Sequence, residues 1–203
     1  NHPWAATYFD DQVSPAEGTS SEEFYQIYHK FGYDQAVSRA SDSLSYVYRL
    51  DEKYWLMMLD SCMCEPVHET GGKLSEETVA WMKTQLEEAK KQGVTVIPVS
   101  HHNLLDESTL YPEECTIENT KEVTALLEAY GVPVYLSGHL HLQRIKKHTS
   151  NLNTPGGYGI REIVTSPLPM APCQYSILNW QADGSLSYHT QKVDIAGWAQ
   201  RYG

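Results

Sequence analysis

With 203 residues, 41% hydrophobic and 20% charged, the chain has the make-up of one well-packed globular domain. It contains no apolar run near the ~18 residues that a membrane span needs. A formal charge of −11 argues against broad contact with a nucleic-acid backbone. It does not exclude a small phosphate ester, because bound divalent ions would reverse the sign locally.

In chain order, residues 1–18 read as irregular, with turn formers at Asp10-Asp11 and Ser14-Pro15. A helix is expected from Ser20 or Ser21 to Lys30. Ser45–Leu50 and Tyr54–Leu59 flank Asp51-Glu52-Lys53, the pattern of a hairpin. The second of these strands is apolar on both faces, which suits a central place in a sheet. Ser75 is placed to cap a helix with Glu76 and Glu77 in its first turn and a stripe of Val79, Met82, Leu86 and Ala89. Lys90 and Lys91 close that helix and Gly93 stops it. The strand Val94–Val99 then leads to Ser100-His101-His102-Asn103.

The same plan follows again. After a loop rich in acids and turn residues from Asp106 to Glu118, Asn119 is expected to cap a helix. Its apolar face would carry Val123, Leu126, Leu127 and Tyr130, and Gly131 would end it. Val132–Leu136 is the next strand, and Ser137-Gly138-His139-Leu140-His141 follows it. Two successive helix-to-strand units imply parallel neighbouring strands, and open α/β sheets bind ligands beyond the carboxyl ends of their strands. His101, His139 and His141 therefore belong to one edge of one sheet. A lone His-x-His is weak evidence for metal; two histidine clusters at two strand ends are stronger.

Beyond Leu142–Ile145 and a loop over Ser150–Tyr158, Gly159–Thr165 reads as a strand. Gln174–Trp180 and Ser185–Gln191 read as a hairpin across Asp183-Gly184. These later strands are expected in a second sheet. Asp60, at a strand end, is a candidate acceptor for an imidazole N–H or, equally, a strand-end cap. His29, His68, His148 and His189 have no catalytic setting. Cys62, Cys64, Cys115 and Cys173 read as buried or idle thiols, with one or two disulfides left open by their even count.

Strand-Ser-His-His-Asn-Leu-Leu followed by strand-Ser-Gly-His-Leu-His resembles the calcineurin-like metallophosphoesterase family. That family's signature runs Asp-x-His, Gly-Asp-x-x-Asp, Gly-Asn-His-Asp/Glu, a lone His after a strand, then Gly-His-x-His. Gly138-His139-Leu140-His141 matches the last motif and His101 the one before it. More loosely, residues 1–148 resemble a bacterial subgroup that is typically exported. The likeness is carried by Pro3-Trp4-Ala5, Ser21-Glu22-Glu23-Phe24, Phe31-Gly32-Tyr33-Asp34, Ser43-Leu44-Ser45-Tyr46 and Leu59-Asp60-Ser61.

The resemblance implies an α/β fold, part of a four-layer α-β-β-α sandwich lacking its N-terminal strands. The chain would be a single truncated domain over residues 1–203, with its core resemblance in 1–148 and second-sheet strands in 149–203. It implies two divalent or trivalent metal ions (Mn, Fe or Zn), with His101 and His139 at one and His141 at the other. The reaction implied is hydroxide attack on a small phosphate ester, and His102 would face the substrate phosphate. No Asp-x-His, Gly-Asp-x-x-Asp or bridging carboxylate precedes the histidines, so this chain alone is expected to bind metal weakly and turn over little. Asn1-His2 could be the remains of Gly-Asn-His-Asp/Glu, but Pro3 stands where the acid belongs. Both are expected just past that motif and outside the site, so no catalytic residue is assigned. The rival readings are a non-catalytic or degenerate phosphoesterase fold, and a mononuclear zinc site on His101, His139 and His141.

Overall fold

The computed structural model describes residues 6–9, 12–15, 18–64, 69–107, 112–148, 159–181 and 183–202. The expected loop at Ser150–Tyr158, His68, Asn1-His2, the turn formers Asp10-Asp11 and Pro3-Trp4-Ala5 fall outside the described residues.

The chain opens on a small antiparallel pair, β1 (Ala6–Phe9) and β2 (Gln12–Pro15), where irregular structure was expected. Of the turn formers, Ser14-Pro15 lie within β2. Helix α1 (Ser21–Tyr28) follows, started by a capping box in which Ser20 and Glu23 satisfy each other's backbone N–H groups. The helix is shorter than expected and buries no residue.

Seven strands then form the main sheet: β3 (Ala36–Arg39), β4 (Tyr46–Arg49), β5 (Tyr54–Met58), β6 (Thr95–Val99), β7 (Val134–Ser137), β8 (Arg144–Lys147) and β9 (Arg161–Val164). Their spatial order is β3-β4-β5-β6-β7-β9-β8. The β5–β6, β6–β7 and β7–β9 pairs are parallel, and the outer pairs are antiparallel. The parallel centre is the part that carries the two histidine loops.

Helix α2 (Glu76–Gln92) matches its sequence pattern closely. The Ser75 side chain accepts from Thr78 N–H, Gly93 takes the left-handed conformation, and Val79, Met82, Leu86 and Ala89 are buried. After the short α3 (Pro112–Cys115), α4 (Thr120–Ala129) buries Val123 and Leu127, with Leu126 and Tyr130 packed at the margin. Asn119 begins α4 but does not cap it through its side chain. Its amide instead pairs with the backbone of Leu74, accepting from the N–H at 3.2 Å and donating to the carbonyl at 2.9 Å.

The helices cover one face of the sheet, where Val47, Trp55, Met57, Val96 and Tyr135 share a core with α2 and α4. Because strand side chains alternate, Tyr54 and Leu56 face the other way. On that side Ile97, Val134 and Ile163 pack with Leu178, Trp180, Leu186 and Tyr188. The last four belong to the hairpin β10 (Gln174–Trp180) and β11 (Leu186–Lys192), a separate antiparallel sheet. The hairpin is a two-stranded sheet of its own. The strand at residues 161–164, expected beside it, instead lies inside the main sheet, parallel to β7. Its Ile163 and Val164 are as buried as a central position demands. Helix α5 (Ile195–Tyr202) ends the described chain and buries none of its residues.

Candidate metal centre

Strand β6 ends at Val99 and β7 at Ser137, neighbours in parallel, so the loops that follow emerge side by side. Gly138 N–H donates to the His101 carbonyl at 3.0 Å, and Ser100 N–H to the Leu136 carbonyl at 3.0 Å. These bonds hold the two histidine loops in contact. His139 Nδ1 lies 3.1 Å from His101 Nε2, and the two rings stand at 89° with centroids 5.1 Å apart. Imidazole nitrogens bound to one ion at the usual Zn–N length of about 2.0–2.1 Å sit about 2.9–3.4 Å apart for octahedral to tetrahedral angles. The observed spacing fits that bite.

The ligand nitrogens of His101, His102 and His139 all lie within 4.8 Å of one another. Proximity alone would make His102 the third ligand, but its surroundings speak for a wall. The ring is fully buried. Its Nδ1 is 2.8 Å from Ser61 Oγ and its Nε2 is 3.0 Å from the Thr70 carbonyl. Thr70 can only accept, so Nε2 carries the proton and Nδ1 accepts from the serine hydroxyl. Both nitrogens are spent, and no lone pair or N–H is left for a metal or a phosphate. Gly72 packs against this side chain: a Cβ there would come within 2.3 Å of His102 Cγ.

The electrostatics suit ligation. Burial, helped by the neighbouring rings of His102, His139 and His141, pushes the His101 pKa down to about 4. Burial likewise holds His102 down to about 4 against the raising effect of its bond to Thr70. At neutral pH His101 and His102 are therefore uncharged, which is the form of imidazole that binds a cation.

His141 is exposed and is not one of the three clustered histidines. His139 and His141 both adopt left-handed backbone, with φ of 62° and 55°. For residues with a Cβ this conformation costs roughly 1–2 kcal/mol each, and such strain gathers at functional sites. It also breaks the strand alternation that would have pointed both rings the same way.

Asp60 takes the blander of its two roles. Its carboxylate accepts from Leu44 N–H at 3.3 Å and Cys62 N–H at 3.2 Å, as a strand-end cap does. The residue that serves an imidazole is the next one, Ser61. Glu162 was also not singled out, yet it lies fully buried and binds the backbone of Leu104 and Leu105. A lone acid between Arg161 and the buried Ile163-Val164 was the sequence signal that could have found it. Cys62 and Cys115 are thiols, and burial pushes both pKa values up, away from reactivity.

No protein-family profile matches the sequence, and no curated protein matches it. Among solved structures, a dimetal phosphatase from Danio rerio is similar with a TM-score of 0.48 and 14% identity, over 64% of this chain and 52% of that one. The chain thus spans about half the length of that protein. A likeness of this size leaves the chemistry to be read from the site itself.

Proposed function

We propose that this chain carries the histidine side of a two-metal centre that hydrolyses phosphate esters. The observation that carries the reading is the His101–His139 pair, two imidazoles with a 3.1 Å bite at the ends of adjacent parallel strands. The Gly138-His139-Leu140-His141 motif and its resemblance to calcineurin-like metallophosphoesterases support it from the sequence side. On this reading His101 and His139 hold one ion and His141 contributes to another. Mn, Fe and Zn are the metals that suit such donors, and a small phosphate ester is the substrate. The four-layer sandwich belongs to the same proposal.

Bound metal ions supply Lewis-acid stabilisation of charge on phosphate oxygens and lower the pKa of water. The chain's own residues do the rest. Desolvation and the neighbouring rings keep the His101 imidazole uncharged at neutral pH, so no proton must be displaced from a cation there before binding. His102 is a rigid, proton-locked wall behind them. The bonds from Gly138 and Ser100 keep the two loops from sliding apart, which preserves the bite. The described residues supply no carboxylate to the histidine cluster, so tight binding of two ions needs donors beyond these.

The test is metal titration followed by assay. The protein is titrated with Co(II), Zn(II) and Mn(II) by calorimetry, then supplied with p-nitrophenyl phosphate mono- and diesters. His139→Ala should lower affinity at least tenfold without shifting the thermal midpoint appreciably. Equal metal binding and equal turnover in that variant would refute the assignment. One ion rather than two per chain in the active protein would favour the mononuclear zinc reading.

A further inference from the structure

We propose that Glu162 is a positioning residue for the histidine pair: its buried carboxylate ties the His101 loop to the His139 loop and sets the spacing between the two rings. The inference takes the proposed metal centre as its setting, but its core is geometric.

Glu162 sits in the middle of β9, opposite Tyr135 of β7, and none of it is exposed. One oxygen accepts from Leu104 N–H at 2.7 Å and from the Ser137 hydroxyl at 2.5 Å; the other accepts from Leu105 N–H at 2.6 Å. Ser137 Oγ in turn accepts from Asn103 Nδ2 at 2.9 Å, and the same amide donates to the Gly138 carbonyl at 3.2 Å. Leu104 lies three residues after His101, and Ser137 lies two before His139. One side chain therefore fastens both loops through three direct partners, with Asn103 reached through Ser137.

The arrangement is costly unless it does something a hydrocarbon could not. A buried carboxylate carries a desolvation penalty, and none of the ion pairs among the described residues includes Glu162. An apolar side chain would fill the same volume without that penalty. It could not, however, accept two backbone N–H groups from a turn that leaves the sheet. A turn so held cannot rotate, and rotation of that turn is what would change the 3.1 Å separation of the rings. Supports of this kind commonly decide whether a metal site is tight or loose.

Glu162→Gln presents an amide NH2 to one of these donors and should loosen the tie. Two readouts separate positioning from plain stability. In metal-free protein, NMR measures the ring-to-ring NOE of His101 and His139 and the exchange protection of the Leu104 and Leu105 amides. Co(II) titration then measures affinity. Val79→Ala, a core change on α2, serves as the control for general destabilisation. We expect the NOE to vanish, both amides to exchange at least tenfold faster and Co(II) to bind at least tenfold more weakly in Glu162→Gln, while Val79→Ala keeps all three. If Glu162→Gln does not fold, Ser137→Ala removes the hydroxyl arm, together with the acceptor it offers Asn103, and should weaken the NOE and the affinity in the same direction. A retained NOE with retained amide protection overturns the proposal, as does unchanged Co(II) affinity. If the wild type takes up no Co(II), the metal reading fails, and the NMR comparison by itself decides the role of Glu162.

Discussion

Ser61 Oγ lies 2.8 Å from His102 Nδ1 and 3.3 Å from the His102 backbone nitrogen, so one hydroxyl holds both the ring and the main chain of a residue 41 positions away. With the Thr70 carbonyl on Nε2, this fixes the tautomer and orientation of the ring that backs the histidine pair. Ser61→Ala should cost about 1–3 kcal/mol, the penalty for a buried polar nitrogen left without a partner. Chemical denaturation measures it, and a change below about 0.5 kcal/mol would mean that the ring finds another partner.

Gly72 is a second dependency of the same ring. Any Cβ there would overlap the imidazole of His102, and the ring cannot retreat without breaking both of its hydrogen bonds. Gly72→Ala is expected to destabilise by about 1–3 kcal/mol, the range for overpacking in a core. A stability equal to wild type by urea denaturation would show that the backbone at Gly72 yields instead.

Acid should unfold the metal-free protein in a defined window. The His102 pKa is depressed from 6.5 to about 4, chiefly by burial. The unfolded chain takes up a proton near pH 6.5 while the folded ring does not until about 4. Stability is therefore fully present above pH 6.5 and falls as pH drops towards 4, by up to about 3 kcal/mol from this residue. His101 adds a smaller loss of the same sign because it is partly exposed to solvent. His102→Leu should start less stable yet flatten the profile between pH 6.5 and 4. Parallel profiles for the two proteins, from urea midpoints across that range, would contradict the assignment.

Glu107 gives an independent check on buried charge away from the histidines. Its side chain is fully buried, and its Oε2 pairs with Arg144 Nε at 3.0 Å, while neither carboxylate oxygen has a hydrogen bond. Arg144→Met should cost about 1–3 kcal/mol, less than a wholly buried pair would, because the guanidinium is half exposed. Adding Glu107→Met should recover most of that loss. A double variant no more stable than the single one would show that the carboxylate was not in need of its cation.

His141 is expected to matter to stoichiometry rather than to the first ion. On the two-metal reading, His141→Ala lowers the number of Zn(II) ions bound per chain and leaves the affinity at His101 and His139 within about threefold. Loss of both ions together, by calorimetry, would place all three histidines at one centre.

Local patterning alone determined much of this protein. The stripe of Val79, Met82, Leu86 and Ala89 with Ser75 and Gly93 at its ends was enough for α2. The repeated helix-strand-histidine plan was enough to bring His101 and His139 to one rim, because parallel neighbouring strands end on the same side. The tertiary structure decided what periodicity cannot express. It put β9 inside the main sheet, engaged both ring nitrogens of His102 with Ser61 and Thr70, and joined Glu162 to the backbone of Leu104. These are contacts across 25 to 58 positions of sequence, set by which side chains are left facing each other once the core has packed. Helices and strand ends are encoded by near neighbours; hydrogen-bond partners of buried polar groups are chosen only when distant segments meet.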